Sequence, residues 1–354
     1  TPLARLLSAV PDSVRPCRNY VELHIILLYF PAFCDTILIL INFTAENSRW
    51  NINIFAKVFP AKSPQIHPTI SEFAESRSTP LCDVPYLKFG SMPRDGGGFV
   101  FTPEEKKTAC QKEPAIAKWI HPYLGSREML NGGERYCLWL VGASPKLIHD
   151  SPILRDRVLA VRDFRLKSKA AATRKFAETP ALFCQIAQPN TDYIAVPKVS
   201  SEKRRYIPMT IQTPDVIASD LLFVIPDAGL YEFGILESNV HMAWMRTVAG
   251  RMKSDYRYSK DIVYNNFPWP APTDAQKEII SKTAQGILDA RNLYPDSSLA
   301  VLYDEVTMPP ELRKAHQEND KAVMTAYGFD WRHMAESDCV AELMKMYQKM
   351  TSTT

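Results

Sequence analysis

Three prolines alternate with other residues in the segment 267–272 and divide the chain into two parts of different character. Pro268, Pro270 and Pro272 each lack a backbone N–H and fix their own φ, so neither a helix nor a central strand runs through them. Before this segment the sequence reads mainly as short strands and turns, and after it apolar residues recur at helical spacing. We therefore predict a stiff hinge here, with a domain boundary after residue 268.

Beyond the prolines, three helices are predicted. Thr273 and Gln276 have the capping-box spacing that begins a helix. The Pro309-Pro310 pair suits the first turn of a second helix, because proline there gives up no hydrogen bond. Apolar residues at helical spacing over 340–347 indicate a third. We expect these helices to form a small bundle.

Before the prolines, the chain alternates between turns and short regular elements. Proline and glycine are frequent over residues 60–133, which favours short elements joined by turns. Residues 154–177 form the clearest helical tract, with apolar residues at helical spacing and a run of alanines. A second helix is predicted over residues 239–252, capped by Ser238. Strands are predicted at residues 193–196, 206–209, 221–225 and 230–236.

The N-terminal part is the hardest to interpret. Residues 25–41 are strongly apolar and about as long as a membrane span. Pro31 and Asp35 interrupt them, and a charge within a span costs roughly 2.5–3.5 kcal/mol. Two buried strands broken at Pro31 are therefore favoured over a span, and no membrane partner is predicted. The chain begins at Thr1 without a signal-peptide pattern, and we interpret it as a fragment.

These patterns together predict an α+β fold in three parts. Residues 1–69 are a poorly assigned N-terminal segment, residues 70–268 form a mixed α/β domain, and residues 269–354 form a C-terminal helical bundle. Apolar residues make up 46% of the chain and charged residues 23%, which is typical of a globular protein with a normal core.

The net charge of +3 hides an asymmetry. From residue 271 onwards there are 9 Lys and Arg against 13 Asp and Glu, a balance of −4, which leaves +7 for residues 1–270. One interpretation is ordinary variation between solvated surfaces, and the other is an anion-facing body with a more acidic appendage. The 7 cysteines are scattered without a C-x-x-C pair, which favours a reducing cytoplasm over a disulfide framework.

The sequence contains no complete catalytic motif. The Pro309-Pro310 pair lacks the polar residue before it and the aromatic residue after it with which an amino-methyltransferase holds a flipped base. The glycines at 96–98 lack the lysine of a phosphate loop and are interpreted as a turn. Glu104 and Lys106 resemble the end of a metal-dependent nuclease motif without its upstream partner, so a surface helix is favoured. We predict no catalytic residue, no cofactor and no metal in this chain.

Two basic tracts favour an interaction with DNA. The predicted helix over residues 151–178 carries eight basic residues against three acidic ones, which suits a phosphate backbone or a groove. The loop at 198–206 mixes Lys and Arg, which donate to guanine, with Glu, which accepts from cytosine, and Ser, which accommodates either. The alternatives are a solvated helix face and an ordinary charged hairpin tip. Basic and aromatic residues also interleave over 251–260, a pattern that can hold phosphates.

From this groove chemistry we predict individual contacts with double-stranded DNA. The helix at 151–178 and the loop at 198–206 are expected to present their side chains to the major groove. The predicted base-reading residues are Glu202 and Arg204, followed by Lys169 and Ser201. The predicted phosphate-binding residues are Arg174, Lys203, Arg205, Lys253 and Arg257.

Several longer segments resemble MmeI-like restriction–modification enzymes, in the same order along the chain. One of them reads PKVSSEKRRYIP at residues 197–208. The other segments similar to the family's target-recognition region are residues 75–85, 89–97, 165–180, 214–220, 241–246, 250–259 and 263–270. Residues 302–304 and 308–316 resemble its C-terminal helical segment. The resemblance covers about residues 70–330, and its ordered motifs make it more specific than any single one.

The resemblance implies that this chain is part of a larger enzyme. Members of the family join an N-terminal nuclease and an S-adenosylmethionine-dependent adenine-N6 methyltransferase domain to such a recognition region. It therefore implies sequence-specific DNA recognition in the service of base methylation, with S-adenosylmethionine bound by an upstream domain. Residues 1–69 depart from the family pattern and are interpreted as a truncated end of the methyltransferase domain.

Two alternatives stay open at this point. One is a DNA methyltransferase that is still active through an unrecognised S-adenosylmethionine site. The other is a non-catalytic remnant that folds and binds only protein. Transfer of a labelled methyl group to DNA would distinguish the first alternative from a pure DNA reader, in which no transfer is expected.

Overall fold

The computed structural model describes residues 74–352 with their side chains and, ahead of them, three strands by their backbone alone. These are β1 (Glu22–Phe30), β2 (Asp35–Glu46) and β3 (Arg49–Pro60), and β2 pairs antiparallel with both neighbours. The two strands predicted on either side of Pro31 are thus confirmed, while Pro31 itself lies outside the described residues. The chain divides into two compact units, residues 1–72 and residues 73–354.

A four-stranded antiparallel sheet forms the centre of the second unit. Its strands run in the order β10-β8-β12-β4. Their bounds are β4 (Lys88–Phe89), β8 (Tyr193–Pro197), β10 (Thr210–Gln212) and β12 (Leu222–Pro226). Ile194 and Val196 on β8 point into the main hydrophobic core, whereas Tyr193 and Ala195 point into a smaller cluster on the other face. This alternation follows from the two-residue period of a strand, and both faces of the sheet are covered.

A second four-stranded sheet has its own core. Its order is β11-β6-β7-β5, in which only β11 and β6 are parallel. The strands and helices of this region are β5 (Val100–Phe101), α1 (Pro103–Lys112), a 3-10 helix (Pro114–Trp119), β6 (Ile120–Leu124), α2 (Ser126–Asn131), β7 (Tyr136–Leu138), α3 (Pro145–Asp150), α4 (Pro152–Leu166) and β11 (Ile217–Ala218). Leu154, Val158 and Val161 lie on one face of α4 and pack against this sheet.

The third sheet of this unit is small and lies nearest the loop predicted to read DNA. It consists of β9 (Val199–Ser200), β13 (Gly250–Met252) and β14 (Asp255–Arg257), in the order β13-β14-β9 and antiparallel throughout. The remaining helices of this region are α5 (Ala171–Lys175), a 3-10 helix (Phe176–Glu178), α6 (Leu230–Leu236), α7 (Asn239–Val248) and a π-helix (Lys260–Tyr264). Tyr256 and Tyr258 fix the sheet to the main core.

The C-terminal part is helical, as predicted. It contains α8 (Asp274–Asn292), α9 (Leu299–Leu302), α10 (Pro310–Tyr327) and α11 (Glu336–Ser352). Thr273 and Gln276 form the predicted capping box, with the amide of Gln276 donating to the Thr273 hydroxyl at 3.3 Å. These helices share the main core with α6 and α7, and residues 267–270 of the proline segment are buried, with Trp269 only 4% exposed. The domain boundary after residue 268 stays a prediction.

Four of the predicted elements are wrong. The tract 154–177 is not one helix, because α4 ends at Leu166 and α5 begins only at Ala171. Residues 230–236 form the helix α6 instead of a strand, and residues 206–209 are buried without belonging to any strand. The helix predicted over 239–252 ends at Val248 and is followed by β13.

A common cause explains the two misassigned apolar segments. Residues 206–209 and α6 are buried on nearly all sides, so their sequences lack the alternation that distinguishes a strand from a helix. Helix α6 begins where the amide of Gly229 donates to the Glu232 carboxylate at 2.7 Å, a local signal for a helix start. Among the described residues, no helix is long and apolar enough to cross a membrane.

Candidate nucleic-acid interface

Strand pairing brings the charged loop of residues 198–206 beside the basic hairpin of residues 250–257. Ser200 on β9 lies opposite Tyr256 on β14 in antiparallel register. The chain therefore leaves β9 at the same end of the sheet at which the β13–β14 turn lies. We call residues 201–205 the recognition loop and residues 250–257 the basic hairpin.

The recognition loop, its stem and the basic hairpin carry a strong excess of positive charge. Residues 198–206 and 250–257 together contain two acidic residues, Glu202 and Asp255, and seven basic ones. The basic residues are Lys198, Lys203, Arg204, Arg205, Arg251, Lys253 and Arg257. Such a surface attracts the phosphates of nucleic acid and is sensitive to salt.

An ion pair joins the loop to the hairpin. The guanidinium of Arg251 lies 3.5 Å from the carboxylate of Glu202, and both side chains are nearly half exposed. Arg251 also donates to the carbonyl of Ser254 at 2.8 Å and lies 3.8 Å from the ring centroid of Tyr256. An exposed pair of this kind contributes about 0–1 kcal/mol, so Glu202 can exchange its partner for a base edge at little cost.

Arg204 is the least exposed cation of the recognition loop. Its backbone amide donates to the carbonyl of Ser201 at 3.1 Å, which closes the loop into a tight turn. Partial burial lowers the pKa of Arg204, and the charges of Asp255 and Asp304 oppose this shift. Within residues 74–352 its guanidinium makes no hydrogen bond or ion pair, so its five donors are available to a ligand.

Lys253 stands at the tip of the basic hairpin. Met252 pairs with Asp255, so Lys253 and Ser254 form a two-residue turn. Lys253 has a φ of +58°, a conformation that glycine adopts most readily and that other residues adopt at some cost. Its side chain is exposed and has no acidic partner among the described residues. The turn thus projects a free ammonium group from the end of the sheet.

The other predicted contacts of the loop and hairpin fall on the same small sheet. Lys203 and Arg205 are exposed on the recognition loop, Ser201 is partly buried at its start, and Arg257 is exposed on β14. The structure therefore gathers seven of the nine predicted DNA contacts. These seven are Ser201, Glu202, Lys203, Arg204, Arg205, Lys253 and Arg257.

Lys169 and Arg174 lie elsewhere on the chain. Lys169 lies in the exposed turn between α4 and α5, and Arg174 lies on α5. The Arg174 guanidinium donates to the carbonyls of Ser168 and Lys169 in this turn, both at 2.8 Å. In the part of the chain from 74 to 352, no hydrogen bond or ion pair joins this turn to the recognition loop. Their contact with DNA stays a prediction, and Arg174 already has a structural role.

The basic tract 151–178 is less available to DNA than its composition suggests. Arg165 is 0% exposed and donates to five backbone carbonyls, so it cannot reach a phosphate. Arg157 donates to the carbonyls of Gly98 and Val100 and lies 3.6 Å from the ring centroid of Phe101. The prediction that one cationic helix presents this charge to a groove is therefore wrong for these two residues.

A groove separates the recognition loop from the C-terminal helices. Its volume is about 480 Å³, and residues 202–206 line one side of it. On the other side, Arg246 on α7 pairs with Glu336 on α11 at 3.0 Å and donates to the carbonyl of Arg205 at 2.6 Å. The recognition loop is thus fixed to helices on both sides of the proline segment.

Two motifs considered for cofactor or metal chemistry have structural roles. Added Cβ atoms would lie 2.5 Å from Phe164 at Gly96 and 2.6 Å from Val161 at Gly98, so these glycines let the turn pack against α4. They form the predicted turn, and in this packing the turn offers no cradle for S-adenosylmethionine. Glu104 and Lys106 lie in the first turn of α1, on the surface helix that was predicted.

The chain belongs to the MmeI family of restriction–modification enzymes. The model of the MmeI target recognition domain matches residues 69–271, and that of the MmeI C-terminal domain matches residues 272–354. Recognition of the family from the sequence motifs is thereby confirmed, as is the mixed fold with a helical C-terminal region.

Two relatives illustrate what this chain is similar to. It is 38% identical to DNA methyltransferase A of Bacillus subtilis (strain 168) over 319 residues, which cover 89% of this chain and 36% of that protein. It is similar in structure to the Type IIL restriction-modification enzyme MmeI, solved in complex with DNA, with 41% identity and a TM-score of 0.78. That match covers 89% of this chain and 42% of the other. The chain thus spans well under half the length of either relative.

Arg251 and Arg246 are the residues of this site that sequence reasoning missed. Arg251 lies in the tract of interleaved basic and aromatic residues, but its importance depends on the register that brings it to Glu202. Arg246 lies on an otherwise buried helix, and only the fold brings it to the carbonyl of Arg205. The sequence signal for Arg246 was a basic residue at the exposed end of an apolar helix.

Proposed function

We propose that this chain is the DNA-recognition part of an MmeI-type restriction–modification adenine-N6 methyltransferase. It binds double-stranded DNA, and the recognition loop reads base edges while the basic hairpin holds phosphates. The observation that carries this proposal is the pairing of β9 with β14, because it collects seven predicted DNA contacts at one small sheet. The match to the MmeI target recognition domain supports it.

The chemistry of the recognition loop suits direct readout in the major groove. The guanidinium of Arg204 can donate two parallel hydrogen bonds to O6 and N7 of guanine, and the carboxylate of Glu202 can accept from N4 of cytosine. Ser201 accommodates either kind of base edge. The exposed cations Lys203, Arg205 and Lys253 supply attraction that does not depend on sequence, and Arg257 adds to it.

We propose methylation for the larger enzyme to which this DNA-recognition part belongs, and not for this chain by itself. The glycine turn at 96–98 packs against α4 and offers no cradle for S-adenosylmethionine, and the relatives extend well beyond the matched region. We propose that an upstream methyltransferase domain binds the cofactor and acts on an adenine near the sequence that this chain selects. Lys169 and Arg174 are kept as candidate contacts at a second position on the DNA.

Arg204→Ala is expected to weaken binding to the preferred duplex by roughly 1–3 kcal/mol and to abolish preference at one base pair. The reason is that alanine removes the paired donors that distinguish guanine from the other bases. Equilibrium titration against the preferred duplex and its single-base-pair variants measures this effect. Lys203→Ala is the matched control at the neighbouring position and is expected to weaken all duplexes alike. If the wild-type chain prefers one base pair and Arg204→Ala keeps the same preference, the assignment of base reading to the recognition loop is wrong.

Lys253→Ala is expected to weaken binding to every duplex to the same extent. A variant with one phosphate contact fewer releases one counterion fewer when it binds DNA. The slope of log K against log salt therefore becomes shallower by about one. Titrations at several salt concentrations measure the slope. Lys107→Ala, an exposed lysine on α1, is the control and should leave the slope unchanged. A change in base preference without a change in slope would contradict the phosphate role of Lys253.

A further inference from the structure

The chain segment that follows the recognition loop is held by the C-terminal helices. Tyr206 is the first residue after the loop and is 2% exposed. Its hydroxyl donates to Oδ2 of Asp320 at 2.6 Å, and its ring lies over that of His316 with 4.0 Å between centroids and 18° between planes. Asp320 and His316 are one turn apart on α10. The recognition loop therefore has one end on β9 and the other on α10.

Asp320 joins the end of the loop to a second element. Its Oδ1 accepts from the backbone amide of Asn239 at 2.7 Å, at the first residue of α7. Burial raises the pKa of Asp320 to about 6, while the hydrogen bonds from Tyr206 and Asn239 act in the opposite direction. At neutral pH the carboxyl group is therefore mostly ionised and accepts both hydrogen bonds.

His316 is itself fixed by buried neighbours. Its Nδ1 lies 3.3 Å from the carbonyl oxygen of Glu237, and its Nε2 lies 2.7 Å from the hydroxyl of Tyr303. A carbonyl oxygen only accepts, so Nδ1 carries the proton and Nε2 accepts from Tyr303. Burial lowers the pKa of His316 well below its ordinary value, so the ring stays neutral. The ring on which Tyr206 stacks thus has a single orientation.

The far end of the same segment is held as well. The amide of Met209 donates to Oε1 of Glu237, and its carbonyl accepts from Arg291 on α8, both at 2.6 Å. Arg291 and Glu237 form a buried ion pair at 2.7 Å. Residues 206–209 are therefore clamped at both ends by side chains that lie outside the small sheet.

We infer that Tyr206, held by Asp320 and His316, positions the recognition loop so that Glu202 and Arg204 discriminate between bases. This inference rests on the proposed function. Readout of a base edge requires side chains held within a fraction of an ångström, whereas attraction to phosphates tolerates movement. Loosening one end of the loop should therefore cost base discrimination and spare sequence-independent binding. Tyr206, Asp320 and His316 are positioning residues in this account and do not touch the DNA.

Tyr206→Phe in the 354-residue chain tests this inference, because it keeps the ring stack and removes the hydroxyl, which donates to Asp320 and also interacts with the side chain of Arg205. A duplex enriched by the wild-type chain from a randomised pool serves as the probe, together with its single-base-pair variants. We expect discrimination between these duplexes to fall roughly fivefold or more, with an unchanged salt slope and unchanged affinity for unrelated duplexes. Exchange of the Arg204 amide with solvent should become faster, since its bond to Ser201 depends on the shape of the loop.

Tyr327→Phe is the matched control. Tyr327 lies on the same helix, and its hydroxyl donates to the carbonyl of Pro268 at 2.9 Å, away from the loop. Both variants should lose some thermal stability, but only Tyr206→Phe should lose discrimination and amide protection. Asp320→Asn retains an amide that can pair with Tyr206 and should preserve most of the discrimination.

The outcomes separate this inference from the proposed function. If Tyr206→Phe discriminates as well as the wild-type chain, or if Tyr327→Phe loses as much, the positioning role is overturned and DNA reading stands. If the wild-type chain itself prefers no duplex, the proposed function fails and the positioning role fails with it.

Discussion

Arg165→Met is expected to lower the free energy of unfolding by about 3–5 kcal/mol, because it leaves buried polar groups without partners. The five N–H groups of Arg165 donate to five backbone carbonyls at 2.7–3.1 Å. Those of Phe176 and Thr179 also accept from backbone amides, whereas the other three have no further donor among the described residues. These carbonyls belong to the turn before Gly96 and to the segment after α5. They are those of Pro93, Arg94, Phe176, Thr179 and Leu182.

Arg162→Met is the matched control for Arg165. Both residues lie on α4, and methionine and arginine have similar helix propensities, but Arg162 is exposed. Its substitution should change the free energy of unfolding by no more than about 0.5 kcal/mol. Denaturant unfolding of the three proteins measures the difference. Equal stabilities of the two variants would contradict the structural role of Arg165.

Arg291→Met is expected to have an effect of similar size, about 3–5 kcal/mol, by breaking a buried ion pair. The guanidinium of Arg291 is the counterion of Glu237, which is 0% exposed. Burial raises the pKa of Glu237, and the charge of Arg291 opposes the shift. Without Arg291, the Glu237 carboxylate would be ionised without a counterion or would take up a proton, and either change costs stability.

The double variant Glu237→Gln/Arg291→Met separates the lost ion pair from general damage to the core. Removing both charges leaves no uncompensated ion. The double variant should therefore lose less free energy of unfolding than the two single variants lose when their losses are added. Denaturant unfolding of the wild-type protein and the three variants forms a double-mutant cycle. Strictly additive losses would show that Arg291 and Glu237 do not stabilise one another.

Local signals made much of the fold predictable. The capping box at Thr273 and Gln276 begins α8, and Ser238 caps α7 with its hydroxyl accepting from the amide of His241. Such signals depend on residues three positions apart, so they need no knowledge of the fold. The strands at 193–197 and 222–226 were likewise recognisable from short apolar runs bounded by turns.

The assignments that failed depend on distant parts of the chain. Arg165 resembles any cation of a basic tract, because its acceptors are backbone carbonyls that leave no trace in the sequence. The partner of the recognition loop was likewise expected to be the helix at 151–178. Pairing of β9 with β14 gives it the basic hairpin instead, and the register of two short strands cannot be read from their few residues.

The predicted contacts of the recognition loop follow from the chemistry of their side chains alone and stay predictions. Glu202 and Arg204 were singled out by the donors and acceptors that base edges require. The sequence did not reveal how they are held, since Tyr206, Asp320 and His316 meet only in the folded chain. Candidate contacts can thus be proposed from residue type, whereas candidate positioning residues require the fold.

We propose that the recognition loop and basic hairpin together read base pairs. Enrichment of duplexes from a randomised pool by the 354-residue chain at low ionic strength tests this proposal. We predict enrichment of one sequence, with a preference at one base pair that disappears in Arg204→Ala. Equal retention of all duplexes, or retention of none, would contradict the reading of base pairs by these two elements.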